Sequence, residues 1–173
     1  MKRSEINKTI RKMETLAAEH GFVLPPFCSF SPEKWSMLGT DYDEIRDNML
    51  GWDITDFGQG DFAKTGLSLI TIRNGNLQAP EKYPKTYAEK LLMLLDGQRV
   101  PMHFHVHKME DIINRGGGTL LIRVYNSDRN GGLSDGDVLA RCDGQARIVR
   151  AGTQIRLELG QSLSITRFMY HDF

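Results

Sequence analysis

The sequence predicts a mainly β chain, a barrel or sandwich of short antiparallel strands behind an N-terminal helical extension. Three observations carry this. Apolar and polar residues alternate at the two-residue period of a half-buried strand in GLSLITIRNG, TLLIRVY, DVLARCDGQARIV, TQIRLEL and LSITRF. Glycine-containing turns separate these runs, the punctuation of an all-β domain. Helical spacing is clearest near the N-terminus, where Ile6, Ile10, Met13 and Ala17 recur at intervals of four, three and four.

Taken in order, Ser4 is a candidate cap for that first helix and Gly21 supplies its stop. Ser31-Pro32-Glu33 is a second helix start, with proline at the first helical position. These segments form an extension over residues 1–65, with the barrel over 66–173. GLSLITIRNG ends in Asn74-Gly75, a short hairpin signal. TLLIRVY places Leu120, Ile122 and Val124 on one face and Thr119, Arg123 and Tyr125 on the other. DVLARCDGQARIV turns at Asp143-Gly144, and TQIRLEL sets Ile155, Leu157 and Leu159 on one side. The stretch from Thr86 to Gly97 is ambiguous: Thr86-Tyr87-Ala88-Glu89 reads as a capping box and local pattern leans to helix, yet a short apolar run serves a buried strand as well.

The 173 residues leave room for a proper hydrophobic core within one domain. Apolar residues make up 40% and charged residues 25%, ordinary for a soluble protein, and the formal net charge is zero. No basic run points to a nucleic-acid or membrane-surface partner. The N-terminal MKRSEINKTIRKMETL carries positive charge but no continuous apolar core of a signal peptide. Cys28 and Cys142 are too few for a disulfide framework, which leads to the expectation of a reduced, cytoplasmic protein.

The chemistry concentrates in HFHVHKME, residues 103–110. In a strand, His103, His105 and His107 project to one side while Phe104 and Val106 face the other. Neutral imidazoles with a nearby carboxylate suit a borderline or hard divalent ion, and no thiolate is at hand for a cysteine-type structural zinc site. By itself, an H-x-H pair decorates the polar face of an exposed strand as readily as it binds metal.

The wider spacing is more specific. Gly97, five residues, His103-x-His105, four residues, Glu110, six residues and Gly117 match the first cupin motif at every defined position. Near the end, Gly160, five residues, Thr166-Arg167-Phe168, two residues and His171 keep the spacing of the second cupin motif, with Thr166 where proline is usual and Phe168 where glycine is usual. The resemblance implies a β-barrel in which His103, His105, Glu110 and His171 converge on one divalent metal. It turns residues 87–95 into a strand and leaves His107 outside the shell.

Longer stretches resemble one family in particular. GWDITDFG at 51–58, LITIRNG up to Gly75, YAEKLLML from Tyr87 and MEDIINRGGGTLLIRVYNS from Met109 are similar, in order and spacing, to D-lyxose isomerase. The resemblance implies interconversion of D-lyxose with D-xylulose, and of D-mannose with D-fructose, by proton transfer between C2 and C1 through a cis-enediol. It implies manganese as the preferred ion. In the strand reading, Lys90 shares a face with Ala88, Leu92 and Leu94, where a lysine is solvated, paired or functional. By the resemblance, Lys90 faces the barrel interior and contacts a sugar oxygen near the metal. Trp52, Asp53 and Asp56 read as a buried aromatic with capping aspartates, Gly116-Gly117-Gly118 as a tight turn, and Asp135-Gly136-Asp137 as a solvated turn.

D-lyxose isomerases generally run on beyond His171, so either the chain is truncated at its C-terminus or the general base is an upstream carboxylate. A strand left unpaired there would favour instability or pairing with another chain, as in the expected homodimer. Two alternatives stay open at this point: another metal-binding cupin, such as a phosphosugar isomerase or a dioxygenase, and a metal-binding but catalytically impaired cupin.

Overall fold

A computed structural model describes residues 1–173, and the chain divides into two units, residues 1–98 and 99–173. In the first, α1 (Arg3–Glu19) is capped at Lys2, two residues ahead of the expected Ser4. The Lys2 N–H donates to the Glu5 carboxylate at 2.6 Å, the return bond of a capping box, so the cap residue's own donor is satisfied. The helix closes at Gly21, whose φ of +68° is the left-handed conformation of a C-terminal cap. A second short helix, α2 (Pro32–Ser36), starts as expected: Ser31 Oγ accepts from the Lys34 N–H at 3.2 Å. A third, α3 (Asp43–Asp47), leads into the sheet.

That sheet is antiparallel, in the order β1 (Gly51–Thr55), β2 (Leu67–Arg73), β3 (Glu89–Met93). Strand β1 lies within the stretch expected to be helical extension, and the glycine and aspartate of GWDIT hid it. Its Trp52 is the expected core aromatic: the ring packs on the apolar cluster and Nε1 donates to the Cys28 carbonyl at 3.1 Å. The segment from Glu89 is a strand, as the wider resemblance implies and against its local helical leaning. Alternation decides it: Leu91 and Met93 join Ile70 and Ile72 in packing on Met13 and Ala17 of α1. Each fully buried side chain of this kind contributes about 1.5–3 kcal/mol.

Asn74-Gly75 does not make a tight hairpin. Strands β2 and β3 do pair, but residues 74–88 connect them. The buried Asn48 diverts the chain: it donates to the Asn74 carbonyl at 3.2 Å, and Asn74 donates back to the Asn48 carbonyl at 3.0 Å. Gly75 serves a close backbone approach instead of a turn, since a Cβ there would meet the Lys85 carbonyl oxygen at 2.3 Å.

The second unit is all β. One antiparallel sheet runs β4 (Glu110–Ile113), β10 (Ser162–Ile165), β7 (Val138–Cys142), β8 (Gln145–Val149). The other runs β11 (Met169–Asp172), β5 (Leu120–Ser127), β6 (Leu133–Ser134), with β9 (Gln154–Leu157) also on β5. Ile122 and Val124 of β5, Ile155 and Leu157 of β9, and Met169 of β11 meet Val138, Ala140, Leu163 and Ile165 of the other sheet in one core. Two antiparallel sheets over a shared core are the jelly-roll arrangement expected of a cupin. The inward sets follow the predicted alternation, except that β9 ends at Leu157 and Leu159 is exposed in the turn beyond it. The hairpin at Asp143-Gly144 forms as expected, both residues at positive φ (49° and 82°). No helix is long and apolar enough to cross a membrane.

Candidate metal centre

The first motif lies on an extended segment before β4, and the second enters through β11. His103 and His171 exchange both backbone hydrogen bonds, His103 N–H to His171 O at 3.0 Å and His171 N–H to His103 O at 2.8 Å. One step along, the Phe168 N–H donates to the His105 carbonyl at 2.9 Å. The segment around 103–105 is thereby zipped to the last strand, and Glu110 enters at the start of β4. His103, His105, Glu110 and His171 each turn one ligand atom to a common point, all within 4.8 Å of one another.

Backbone carbonyls orient two of the three rings. His103 Nδ1 lies 2.8 Å from the Pro101 carbonyl and His171 Nδ1 lies 3.2 Å from the Met169 carbonyl. A carbonyl only accepts, so each Nδ1 carries the proton and each Nε2 keeps its lone pair. His105 Nε2 sits 3.2 Å from Glu110 Oε1. His171 is completely buried, and its Nε2 lies 3.3 Å from the same oxygen without the alignment of a hydrogen bond. A buried ring nitrogen with no hydrogen-bond partner, aimed at two imidazoles and a carboxylate, is what a cation would satisfy.

The electrostatics agree with that use. Burial foremost holds the His103 and His105 pKa values below the ordinary imidazole value, leaving both rings neutral at pH 7. Burial pushes the Glu110 carboxyl up, but His171 and Lys108 beside it more than reverse this and hold it well below the usual carboxylate range. The group therefore offers three ring nitrogens and one anionic oxygen. Donors about 2 Å from one ion stand roughly 3–4 Å from each other, the scale of this cluster. The donor set fits a single divalent ion.

Of the other sequence candidates, His107 is exposed and outside the group. Lys90 is carried by the first unit: it sits on β3 across from Thr71, exposed, on the face away from Leu91 and Met93. Sequence reasoning missed Lys108, whose Nζ is 2.5 Å from Glu110 Oε2. The K-x-E spacing, two residues apart beside a candidate ligand, was the available signal.

Three histidines and one carboxylate, held by paired antiparallel strands of a two-sheet β unit, form a group that could hold a metal ion, on a fold of the cupin type. The family model for D-lyxose isomerase matches residues 1–173, and the chain belongs to the D-lyxose isomerase family. It is 44% identical over 174 aligned residues to a D-lyxose/D-mannose isomerase of Escherichia coli O157:H7. It is 42% identical to another of that name from Serratia proteamaculans. Each alignment covers the whole of this chain and 76% of the relative. A crystal structure of a predicted oxalate decarboxylase from Thermotoga maritima overlaps 71% of this chain and 90% of its own, at 12% identity and a TM-score of 0.23.

Proposed function

We propose that the protein interconverts D-lyxose with D-xylulose, and D-mannose with D-fructose, using a manganese ion held by His103, His105, Glu110 and His171. The observation that carries this reading is the convergence of those four side chains around the unpartnered Nε2 of buried His171, in a chain of this family. When bound, a divalent ion supplies Lewis acidity to sugar oxygens on the reacting carbons. A mixed shell of imidazole nitrogen and carboxylate oxygen suits manganese.

The chain's own groups divide the remaining work. Proton transfer between C2 and C1 through a cis-enediol needs a base at carbon and a donor at oxygen. Glu110 is a poor base, because its carboxylate is held well below the usual range and its oxygens already face His105 and Lys108. Lys90 is the proposed donor to a sugar oxygen; its support is an exposed position on the face of β3 opposite the apolar one.

The reading extends to a barrel over residues 66–173 behind an extension over 1–65, to a homodimer and to the cytoplasm. Edge strand β8, with exposed Ile148, offers a surface for a second copy, and Cys28 and Cys142 are free thiols. The test is direct. Chelator-stripped protein is given manganese and D-lyxose or D-mannose, and ketose is measured. Metal-restored ketose formation is the expected result; tight metal binding without turnover on either sugar overturns the assigned activity.

A further inference from the structure

Glu110 uses its two oxygens differently. Oε1 faces His105 Nε2 at 3.2 Å and His171 Nε2 at 3.3 Å, whereas Oε2 is taken by Lys108 Nζ at 2.5 Å. Lys108 and Glu110 are separated by one residue, and the Lys108 ammonium reaches the same carboxylate that faces the histidines. Burial separates them in role: the Lys108 side chain is 49% exposed and Glu110 27%. The ammonium thus stands on the solvent side of the carboxylate and the histidines on the other.

We propose that Lys108 is a positioning residue that holds Glu110 to one-oxygen coordination of the metal and keeps the centre's positive charge under-neutralised. The proposal rests on the metal-centre reading above. A carboxylate with both oxygens free can close on an ion as a two-oxygen chelate, taking a position that a substrate oxygen needs. An ammonium hydrogen-bonded to Oε2 blocks that rotation with a charge-assisted contact. The same ammonium, near the ion, repels it and weakens its binding. Removing Lys108 therefore acts in one direction twice: it frees a second oxygen for the ion and removes a neighbouring positive charge. An orienting contact that merely ordered the ligand would act in the opposite direction, since loss of such partners typically weakens metal binding about 10–100-fold.

The test compares wild type, Lys108→Met and Lys108→Arg in the full chain. Manganese affinity is measured by calorimetry on chelator-stripped protein, the ion's environment by its electron paramagnetic resonance spectrum, and folding by circular dichroism. The expected result is about tenfold tighter manganese binding with an altered spectrum in K108M, and wild-type affinity and spectrum in K108R. Unchanged or weaker binding in folded K108M overturns the proposal, as does a K108R that behaves like K108M. Failure of K108M to fold also overturns it, because it makes Lys108 a structural residue. If wild type itself binds no manganese, the metal-centre reading falls, and that outcome is distinct from equal binding by wild type and K108M.

Discussion

His103 and His171 face each other as a directly paired bridge, exchanging both backbone hydrogen bonds with ring centroids 4.2 Å apart. The pairing explains how two motifs far apart in the chain build one centre. The backbone of one ligand fixes the height of the other, so ring positions follow strand register instead of flexible loops.

The first prediction concerns the shell. Glu110→Gln keeps the shape of the side chain but removes the only anionic donor, and metal content by elemental analysis is expected to fall to background after dialysis. Wild type should gain thermal stability when manganese is added, by about 2.7 kcal/mol at a hundredfold excess over Kd, and the variant should not. An equal gain in both would take Glu110 out of the shell.

Lys90 is to be separated from the metal. Lys90→Ala should lower turnover of D-lyxose by about 10²-fold or more, the scale of one lost proton-transfer group, while metal content stays at the wild-type level. Unchanged turnover removes Lys90 from the mechanism.

Asn114 is a structural pin that supports the second unit. It is buried, donates from Nδ2 to the carbonyls of Gly118 and Leu157 at 2.9 Å each, and accepts from the Gly116 N–H at 3.2 Å. It thereby holds the Gly116-Gly117-Gly118 turn against the end of β9. Asn114→Ala removes the donor to the buried Leu157 carbonyl and to the part-buried Gly118 carbonyl, and urea denaturation should show a loss of about 1–3 kcal/mol.

Phe168 occupies the left-handed region, with φ of 63°, at the position where the second cupin motif usually has glycine. That conformation costs an L-residue about 1–2 kcal/mol, and the ring's partner, Phe104, is 6.0 Å away between centroids. Phe168→Gly relieves the strain but adds about 0.5–1 kcal/mol of backbone entropy loss on folding. Its stability should stay within about 1 kcal/mol of wild type. Phe168→Val, β-branched in the same conformation, should be clearly less stable than either. Equal melting of the glycine and valine variants would show that backbone strain is not what matters here.

Cys28 gives the pH dependence with a definite sign. Burial, and then the negative charge of Glu14, push its thiol up to about 11 from an ordinary value of 9.0. The folded state therefore favours the neutral thiol. Its contribution to stability is complete below pH 9 and is lost progressively as pH rises through 9 towards 11. Alkylation of Cys28 by iodoacetamide at pH 9 should be much slower in native protein than in urea, and Cys28→Ala should flatten the alkaline decline in stability. Equal alkylation rates in the two states would contradict the shift.

Much of the fold and of the site is legible in the sequence. Strand alternation placed Ile122, Val124, Ile155 and Leu157 inward because a period of two admits one buried face. Motif spacing selected His103, His105, Glu110 and His171 and set His107 aside. Other features were hidden because local pattern is ambiguous where tertiary contacts choose. GWDIT became β1 by pairing with β2. Asn74-Gly75 became part of a longer connection because Asn48, from an earlier element, satisfies its backbone.

The sequence by itself determined the strand periodicity, the family and the four residues that meet, since residue types and spacings carry that information along one dimension. Only the tertiary structure decided which nitrogen the His103 and His171 rings present, through the Pro101 and Met169 carbonyls, and which oxygen of Glu110 faces the histidines, through Lys108. Those choices depend on distances and directions between side chains and backbone groups, which exist only once the strands are paired and the core is closed.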